Sequence, residues 1–182
     1  MTELLTNEER KQLLEIARES IVAHVSGGMA PALENASPGL SVMSGCFVTI
    51  KQQGRLRGCI GNFVSDRPLY QLVQEMAITA STRDPRFYPM KVHDLDDFEL
   101  DISVLSPLQK IASVEEIVVG RHGIYIVKNN SRGVLLPQVA TEYGWDRETF
   151  LKQTCIKAGL AENAWQKECE IYIFSAQVFG EK

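Results

Sequence analysis

A β-hairpin pattern in the first third of the chain limits the fold most strongly. Two runs rich in β-branched and apolar residues, Cys46–Lys51 and Arg55–Ile60, are separated by a short turn that contains glycine. A two-residue turn would mix polar and apolar side chains on both faces. A three-residue turn pairs Thr49 with Arg57 and collects the apolar side chains on one face, because alternate residues of a strand point to opposite sides. We therefore predict the three-residue turn, and with it Arg57 and Cys59 on the same polar face.

The rest of the chain combines helical and strand patterns. A capping box at Thr6–Glu9 begins a helix, and Pro68 and Asp146 stand where two further helices begin. Strict alternation marks a strand over Phe98–Val104, and one long β-prone run covers Cys169–Phe179. These patterns predict an α+β fold with a mixed or mostly antiparallel sheet flanked by helices.

Length and composition limit the classes of protein that fit. The 182 residues suffice for a single domain over residues 1–182, or for two lobes sharing a core. The net charge of -4 argues against sequence-independent binding of nucleic acid, and no apolar run reaches the length of a membrane span. The first residues carry no basic segment followed by an apolar core, so we predict a cytoplasmic protein.

The cysteines show no metal-binding arrangement. No two are spaced as CxxC, and no histidine stands at ligand spacing from any of them. We therefore predict no metal site and no cofactor, and we expect all four thiols to be reduced. The four are Cys46, Cys59, Cys155 and Cys169.

Unusual chemistry is concentrated in Arg55–Gly61. Cys59 is the candidate nucleophile, because Arg57 on its face would favour the thiolate, which is the form that attacks. Gly58 and Gly61 let the backbone approach a ligand closely, and nearby N–H groups could stabilise developing negative charge. The alternative is that Cys59 is a packing residue and that the glycines form a bulge.

Arginines make up a second candidate cluster. A guanidinium pair matches a carboxylate or a phosphate, and Arg57 and Arg86 are our candidates for binding such a group. The alternative is that acidic neighbours neutralise them in structural ion pairs. The arginines concerned are Arg55, Arg57, Arg83 and Arg86, and the acidic neighbours are Asp84, Glu99 and Asp101.

Other polar residues could complete such a site. His122 stands in a turn next to a glycine and is the candidate base for the cysteine, with an ordinary surface histidine as the alternative. Ser103 and Gln138 lie beside predicted strands and could supply hydrogen bonds. Neither of these two signals is specific.

Several short motifs occur together along nearly the whole chain. The hexapeptide Leu-Arg-Gly-Cys-Ile-Gly is unbroken at Leu56–Gly61. With this hexapeptide and the further motifs, the chain resembles the AMMECR family, in the prokaryotic form called protein A of the AmmeMemoRadiSam system. The further motifs are Asp84–Phe87, Ile102–Pro107, His122–Ile124, Leu135–Ala140 and Phe150–Leu160.

The resemblance implies an α+β fold, either undivided or built as a larger and a smaller lobe. It also implies two protein partners, a Memo-type protein and a radical S-adenosylmethionine protein. Asp84, the first residue of the motif Asp84–Phe87, is also a candidate binding residue. The resemblance supplies no reaction.

Two hypotheses of function follow. In the first, a cleft built on Leu56–Gly61 carries out cysteine-dependent transfer or hydrolysis on an anionic small molecule or protein group, with Cys59 as nucleophile and His122 as base. In the second, the same stretch is a strand edge of a non-catalytic adaptor that docks a Memo-type or other protein. A module for a phosphate-bearing cofactor ranks below both, because no phosphate-binding loop is present.

Overall fold

The computed structural model describes residues 4–182, and Met1–Glu3, on which the prediction of a cytoplasmic protein partly rests, lie outside them. Within the described residues, four α-helices accompany two antiparallel sheets of four strands each, which confirms the α+β prediction. The elements in chain order are α1 (Asn7–Val25), β1 (Cys46–Gln52), β2 (Arg55–Asn62), α2 (Leu69–Thr82), β3 (Glu99–Leu105), β4 (Gln109–Lys110), β5 (Gly123–Lys128), β6 (Ser131–Leu135), α3 (Pro137–Glu142), α4 (Arg147–Lys157), β7 (Glu170–Phe174) and β8 (Ala176–Gly180).

The chain divides into two compact units. The first unit contains the described residues up to Leu105 together with Gln177–Lys182, and its sheet has the order β2-β1-β3-β8. The second unit is Ser106–Ala176, and its sheet has the order β4-β7-β5-β6. Each unit has its own cluster of buried apolar residues.

In the first unit, helices α1 and α2 cover one face of the sheet. That face is built from alternate residues of the central strands, such as Val48, Ile50 and Ile102, which are completely buried. The helix α1 begins at the predicted capping box, in which the Thr6 side chain accepts a hydrogen bond from the N–H of Glu9. The opposite face carries the other set of alternate residues, and this set includes Cys59.

The hairpin of β1 and β2 exists, but its predicted register is wrong. The turn has two residues, Gln53 and Gly54, which both have positive φ and pair Gln52 with Arg55. A β-bulge then leaves Arg57 without a partner, so that beyond it the pairing is shifted by one residue. Neither turn length alone predicts this arrangement, because a bulge changes the register partway along the strand.

The bulge also corrects the predicted faces of the hairpin. Beyond it Gly58 lies opposite Ile50 on the core face, and Cys59 lies opposite Thr49 on the other face. Leu56, which we expected in the core, is 43% exposed because it precedes the bulge and pairs with Lys51. The predicted placement of Arg57 and Cys59 on the same face is therefore wrong.

In the second unit, α4 packs on the sheet through completely buried residues such as Phe150 and Cys155. It begins at the predicted cap, where the Asp146 side chain accepts from the N–H of Thr149. Pro137 begins the helix α3, which the sequence patterns do not predict.

The C-terminal β-prone run differs from the prediction as well. It forms two strands, β7 and β8, which are separated at Ser175. The strand β7 belongs to the sheet of the second unit, whereas β8 belongs to the sheet of the first. A continuous run of β-prone residues cannot reveal such a change of sheet, because the pattern within each strand is the same.

Candidate functional site

Cys59 lies on β2, which is an edge strand of the first sheet. The residues of antiparallel strands alternate between pairs that exchange backbone hydrogen bonds and pairs whose N–H and C=O groups point away from each other. The N–H and C=O of Cys59 bond to groups outside the sheet, so the Thr49–Cys59 pair is of the second kind. The backbone of Cys59 therefore faces outward, where an edge strand normally has no partner.

The segment after α2 supplies that missing partner. The Asp84 Oδ2 atom accepts from the Cys59 N–H at 2.9 Å, and Arg86 Nη2 donates to the Cys59 carbonyl oxygen at 3.3 Å. Arg86 also donates from Nε to Asp84 Oδ1 at 3.0 Å and from Nη2 to Oδ2 at 2.8 Å. We call this arrangement the Asp84–Arg86 clamp. It fixes the backbone of Cys59 in the way that a further strand would.

The two members of the clamp differ in exposure. The side chain of Asp84 is 2% exposed, whereas that of Arg86 is 54% exposed. The hydrogen bonds from Arg86 hold the pKa of Asp84 well below its usual range, and the N–H of Cys59 lowers it further. Asp84 is therefore an ionised acceptor whose two oxygens are both occupied, which suits it to positioning a neighbour and not to taking up a proton.

The thiol of Cys59 is partly exposed and has one polar contact among the described residues. The Thr49 hydroxyl donates a hydrogen bond to Sγ at 3.2 Å from the neighbouring strand. By contrast, Cys46 and Cys155 are completely buried, and burial raises the pKa of Cys46 to about 12. Cys169 donates from Sγ to the Ala164 carbonyl oxygen, and burial raises its pKa as well.

Arg57 does not accompany Cys59. Because it is the bulged residue, its guanidinium is directed at Asp94, with 3.7 Å between Nη2 and Oδ2. Its side chain is 17% exposed, and its Nη1 atom is buried without a hydrogen-bond partner within residues 4–182. The cation beside Cys59 is Arg86.

Both predicted glycines are required by close packing. A Cβ at Gly58 would overlap the carbonyl oxygen of Ala80 near the end of α2, so glycine lets this helix approach the strand. A Cβ at Gly61 would overlap the ring of Phe47, which lies opposite it on β1. The N–H of Gly58 faces β1, because Gly58 is adjacent to the outward-facing Cys59.

Ser103 lies on the same face of the sheet but not in the row of Cys59. It stands opposite Phe47, whereas the row of Cys59 continues through Thr49 to Asp101. The carboxylate of Asp101 forms an ion pair with Lys51. Of the residues on β3, Asp101 is therefore directly aligned with Cys59, and Ser103 is displaced along the strands.

His122 and Gln138 belong to the second unit. The Nδ1 atom of His122 accepts the N–H of Val118 at 3.1 Å, so the neutral ring carries its proton on Nε2. Burial lowers the pKa of His122, and the nearby charge of Arg121 lowers it further. A ring in this state donates from Nε2, and its lone pair is occupied. Gln138 lies in the first turn of α3, where its carbonyl oxygen accepts from the Thr141 hydroxyl.

Residues 4–182 contain neither a cluster of metal-ligating side chains nor a helix suited to span a membrane. No group of histidine, cysteine, aspartate and glutamate side chains in this range could hold a metal ion. None of the helices in this range combines the length and the apolar character needed to cross a membrane.

Thr49 is the residue at the site that sequence reasoning missed. The hairpin pattern put Thr49 on the polar face but opposite Arg57, since the bulge was not placed. The signal was the glycine beside the cysteine, because glycine within a strand is typical of a bulge or of a close approach of another backbone. In this chain both occur at the same point.

Comparisons with known proteins place the chain in one family. The AMMECR1 family model matches residues 14–179. Protein MK0488 from Methanopyrus kandleri is 41% identical over 192 residues, a match that covers 100% of this chain and 93% of that protein. Protein MJ0810 from Methanocaldococcus jannaschii is 37% identical, with 98% of this chain and 92% of that protein covered.

A solved structure shares the fold. The crystal structure of the uncharacterized protein PH0010 from Pyrococcus horikoshii superimposes with a TM-score of 0.86 at 34% sequence identity. The match covers 99% of this chain and 95% of that one. Both units therefore have counterparts in this relative.

Proposed function

The chain belongs to the AMMECR1 family, and we propose that it is a cysteine-dependent transferase for an anionic substrate, with Cys59 as the nucleophile. The Asp84–Arg86 clamp is the observation that carries the proposal. A buried carboxylate and a guanidinium together fix the backbone of one residue, and that residue bears a partly exposed thiol. Rigid placement of the reacting atom is what covalent catalysis requires of its scaffold.

The neighbours of Cys59 have separate roles in this proposal. The Thr49 hydroxyl donates to Sγ, and a thiolate accepts such a bond more strongly than a thiol. Arg86 uses Nε and Nη2 within the clamp, and within residues 4–182 its Nη1 has no hydrogen-bond partner. Nη1 would bind the anionic group of the substrate, while Asp84 acts as a positioning residue through Arg86 and the Cys59 backbone.

The proposed step is acyl transfer. The Cys59 thiolate attacks a carbonyl carbon, the bond from that carbon to the leaving group breaks, and the leaving group departs with its electron pair as a thioester forms. An amine or water then attacks the thioester and releases the thiolate. The proton that Cys59 loses goes to solvent, since both oxygens of Asp84 are occupied by hydrogen bonds.

Paired ester probes test this function. We expect 4-nitrophenyl hemisuccinate, which is anionic, to give a rapid burst of one equivalent of 4-nitrophenolate, and Cys59→Ser to abolish the burst. Arg86→Gln should slow the hemisuccinate reaction roughly tenfold while leaving the neutral 4-nitrophenyl acetate less affected, since a charged hydrogen bond contributes about 1.5–3 kcal/mol. Arg55→Gln on the same strand is the charge-matched control. An equal burst from Cys59→Ser would overturn the proposal.

The adaptor hypothesis is the second candidate, and one observation favours it. Large apolar side chains on segments neighbouring the motif are exposed: Leu56 by 43%, Tyr88 by 89% and Val92 by 63%. On this hypothesis a purified Memo-type protein binds wild type and Cys59→Ser equally in a pull-down, and Tyr88→Ser weakens the complex. If neither the wild type nor Cys59→Ser retains the Memo-type protein, the adaptor hypothesis is contradicted.

A further inference from the structure

On the β2 edge beyond the clamp, toward the end of the strand, the backbone of Gly61 also faces outward. Two residues separate Gly61 from Cys59 along the strand, so their N–H and C=O groups point the same way, outward from the sheet. Apart from the ladder between β1 and β2, no hydrogen bond to the N–H or C=O of Gly61 is found within residues 4–182. Gly61 is partly exposed. The edge therefore offers one free donor and one free acceptor beside the candidate nucleophile.

The pairing between β1 and β3 independently indicates that the N–H and C=O of Gly61 point outward from the sheet. The Leu105 N–H donates to the Gly45 carbonyl oxygen, which makes this pair one that exchanges hydrogen bonds between β1 and β3. Counting by two along β1, Phe47 bonds to β3 and so turns its backbone away from β2. Its partner on β2 is Gly61, which consequently has no ladder bond to β1.

The geometry of this edge fits a short extended amide. A donor and an acceptor on one strand residue are matched by the C=O and N–H of one residue of an added strand. The ring of Phe47, which lies against Gly61, adds an apolar surface for the side chain of that residue. At Cys59 the outward groups are already taken by the clamp. An added strand can therefore pair at Gly61 but cannot continue past Cys59.

The charge at the point where the added strand must end is positive. Arg86 is 54% exposed at that position, and its Nη1 group is open. The nearest outward positions of a strand are about 6.6 Å apart, so a group one residue beyond the paired amide is in the neighbourhood of Cys59. A terminal carboxylate is the group that both ends a peptide and matches a guanidinium.

We propose that Gly61 and Arg86 form a subsite for the C-terminal end of an extended peptide, with Gly61 pairing the N–H and C=O of the residue before the last and Arg86 binding the terminal carboxylate. This inference rests on the proposed function in that it names the anionic group that Arg86 would bind. The carbonyl carbon presented to Cys59 would accordingly belong to a peptide-like substrate.

The test uses the full chain with Cys59→Ser, which cannot react, labelled with ¹⁵N and titrated with N-acetyl-alanyl-alanine. We expect a saturable shift of the Gly61 amide resonance, because its N–H gains a hydrogen-bond acceptor, and a much smaller shift for Gly58, whose N–H faces β1. Converting the carboxylate of the probe to an amide, or adding Arg86→Gln, should weaken binding roughly tenfold. Adding Arg55→Gln should leave it within about twofold.

The outcomes separate this inference from the transferase proposal. The absence of a saturable Gly61 shift, or equal binding of the carboxylate and amide probes, overturns the subsite even when Cys59 forms a thioester with the ester probes. A saturable Gly61 shift that depends on Arg86 supports the subsite even when the wild-type protein gives no burst.

Discussion

At the scale of single residues, Asp84 accepts four hydrogen bonds at the site. It accepts from the N–H of Cys59 and from Arg86, and it is almost completely buried. A buried carboxylate needs such partners, because removing it from water is costly unless its oxygens are hydrogen-bonded. The sequence predicts Asp84 either as a binding residue or as a neutralising partner of the arginines. In the structure it pairs with Arg86 and fixes the backbone of Cys59.

We predict that Asp84→Asn lowers the free energy of unfolding by about 2 kcal/mol at pH 7, because it removes charged hydrogen bonds from a buried position. The folded-state pKa of Asp84 lies below its unfolded value, so its stabilising contribution is complete above about pH 4 and is lost as pH falls below that. Urea denaturation at pH 7 and pH 3 measures both effects.

The control for this prediction is Asp101→Asn in the exposed pair with Lys51, which should cost less than about 0.5 kcal/mol. The wild type and Asp84→Asn should differ less at pH 3 than at pH 7. A constant difference between the two pH values would show that the charge of Asp84 does not stabilise the fold.

At the scale of elements, the hairpin was predictable and its register was not. The apolar runs and the glycine-containing turn identify two strands from local sequence alone. The bulge at Arg57 depends on tertiary packing, because α2 approaches β2 at Gly58 and leaves no room for a side chain there. The clamp is likewise invisible to local patterns, since Asp84 is 25 residues from the N–H that it accepts.

We predict that Gly58→Ala destabilises the first unit by about 3 kcal/mol, because the added methyl group meets a backbone carbonyl that cannot rotate away. Thermal unfolding followed by circular dichroism measures the loss. Gly28→Ala is the control, since its Cβ would lie 3.3 Å from the nearest atom, the Ala23 carbonyl oxygen, and needs only a small adjustment. A Gly58→Ala protein as stable as Gly28→Ala would contradict the close approach of α2.

A second prediction concerns the edge of β2. The amide hydrogen of Cys59 should exchange with solvent slowly, because Asp84 accepts it, whereas that of Gly61 on the same edge should exchange quickly. Hydrogen exchange followed by NMR compares the two within one sample, and Asp84→Asn should accelerate exchange at Cys59 selectively. Equal protection of Cys59 and Gly61 would mean that another group covers the edge.

At the scale of the whole molecule, two hydrophobic cores organise the chain. Length and composition allowed one body or two lobes, and the sequence offered no linker to decide between them. The C-terminal run could not resolve the question either, because β7 and β8 follow each other closely while belonging to different sheets. Sheet membership is set by long-range pairing, to which a local β-pattern is insensitive.

Both tryptophans of the chain, Trp145 and Trp165, lie in the second unit, so that tryptophan fluorescence reports on that unit. We predict that Phe150→Ala lowers the free energy of unfolding of the second unit, followed by tryptophan fluorescence, by about 4 kcal/mol. The reason is that a completely buried ring is replaced by a cavity. Ile156→Ala on the same helix is the control, since Ile156 is 51% exposed and should cost about 0.5 kcal/mol. Equal losses would contradict the observed orientation of α4.

The proposed function depends above all on Cys59 being the reactive thiol of the molecule. Iodoacetamide labelling of the native protein at pH 7.5, mapped by mass spectrometry over time, compares all four cysteines at once. We predict that Cys59 is modified at least roughly tenfold faster than the completely buried Cys46 and Cys155, and faster than the hydrogen-bonded Cys169. Thr49→Val, which removes the donor to Sγ, should slow Cys59 alone. Labelling of Cys59 no faster than that of Cys155 would contradict the proposed role of Cys59 as the nucleophile.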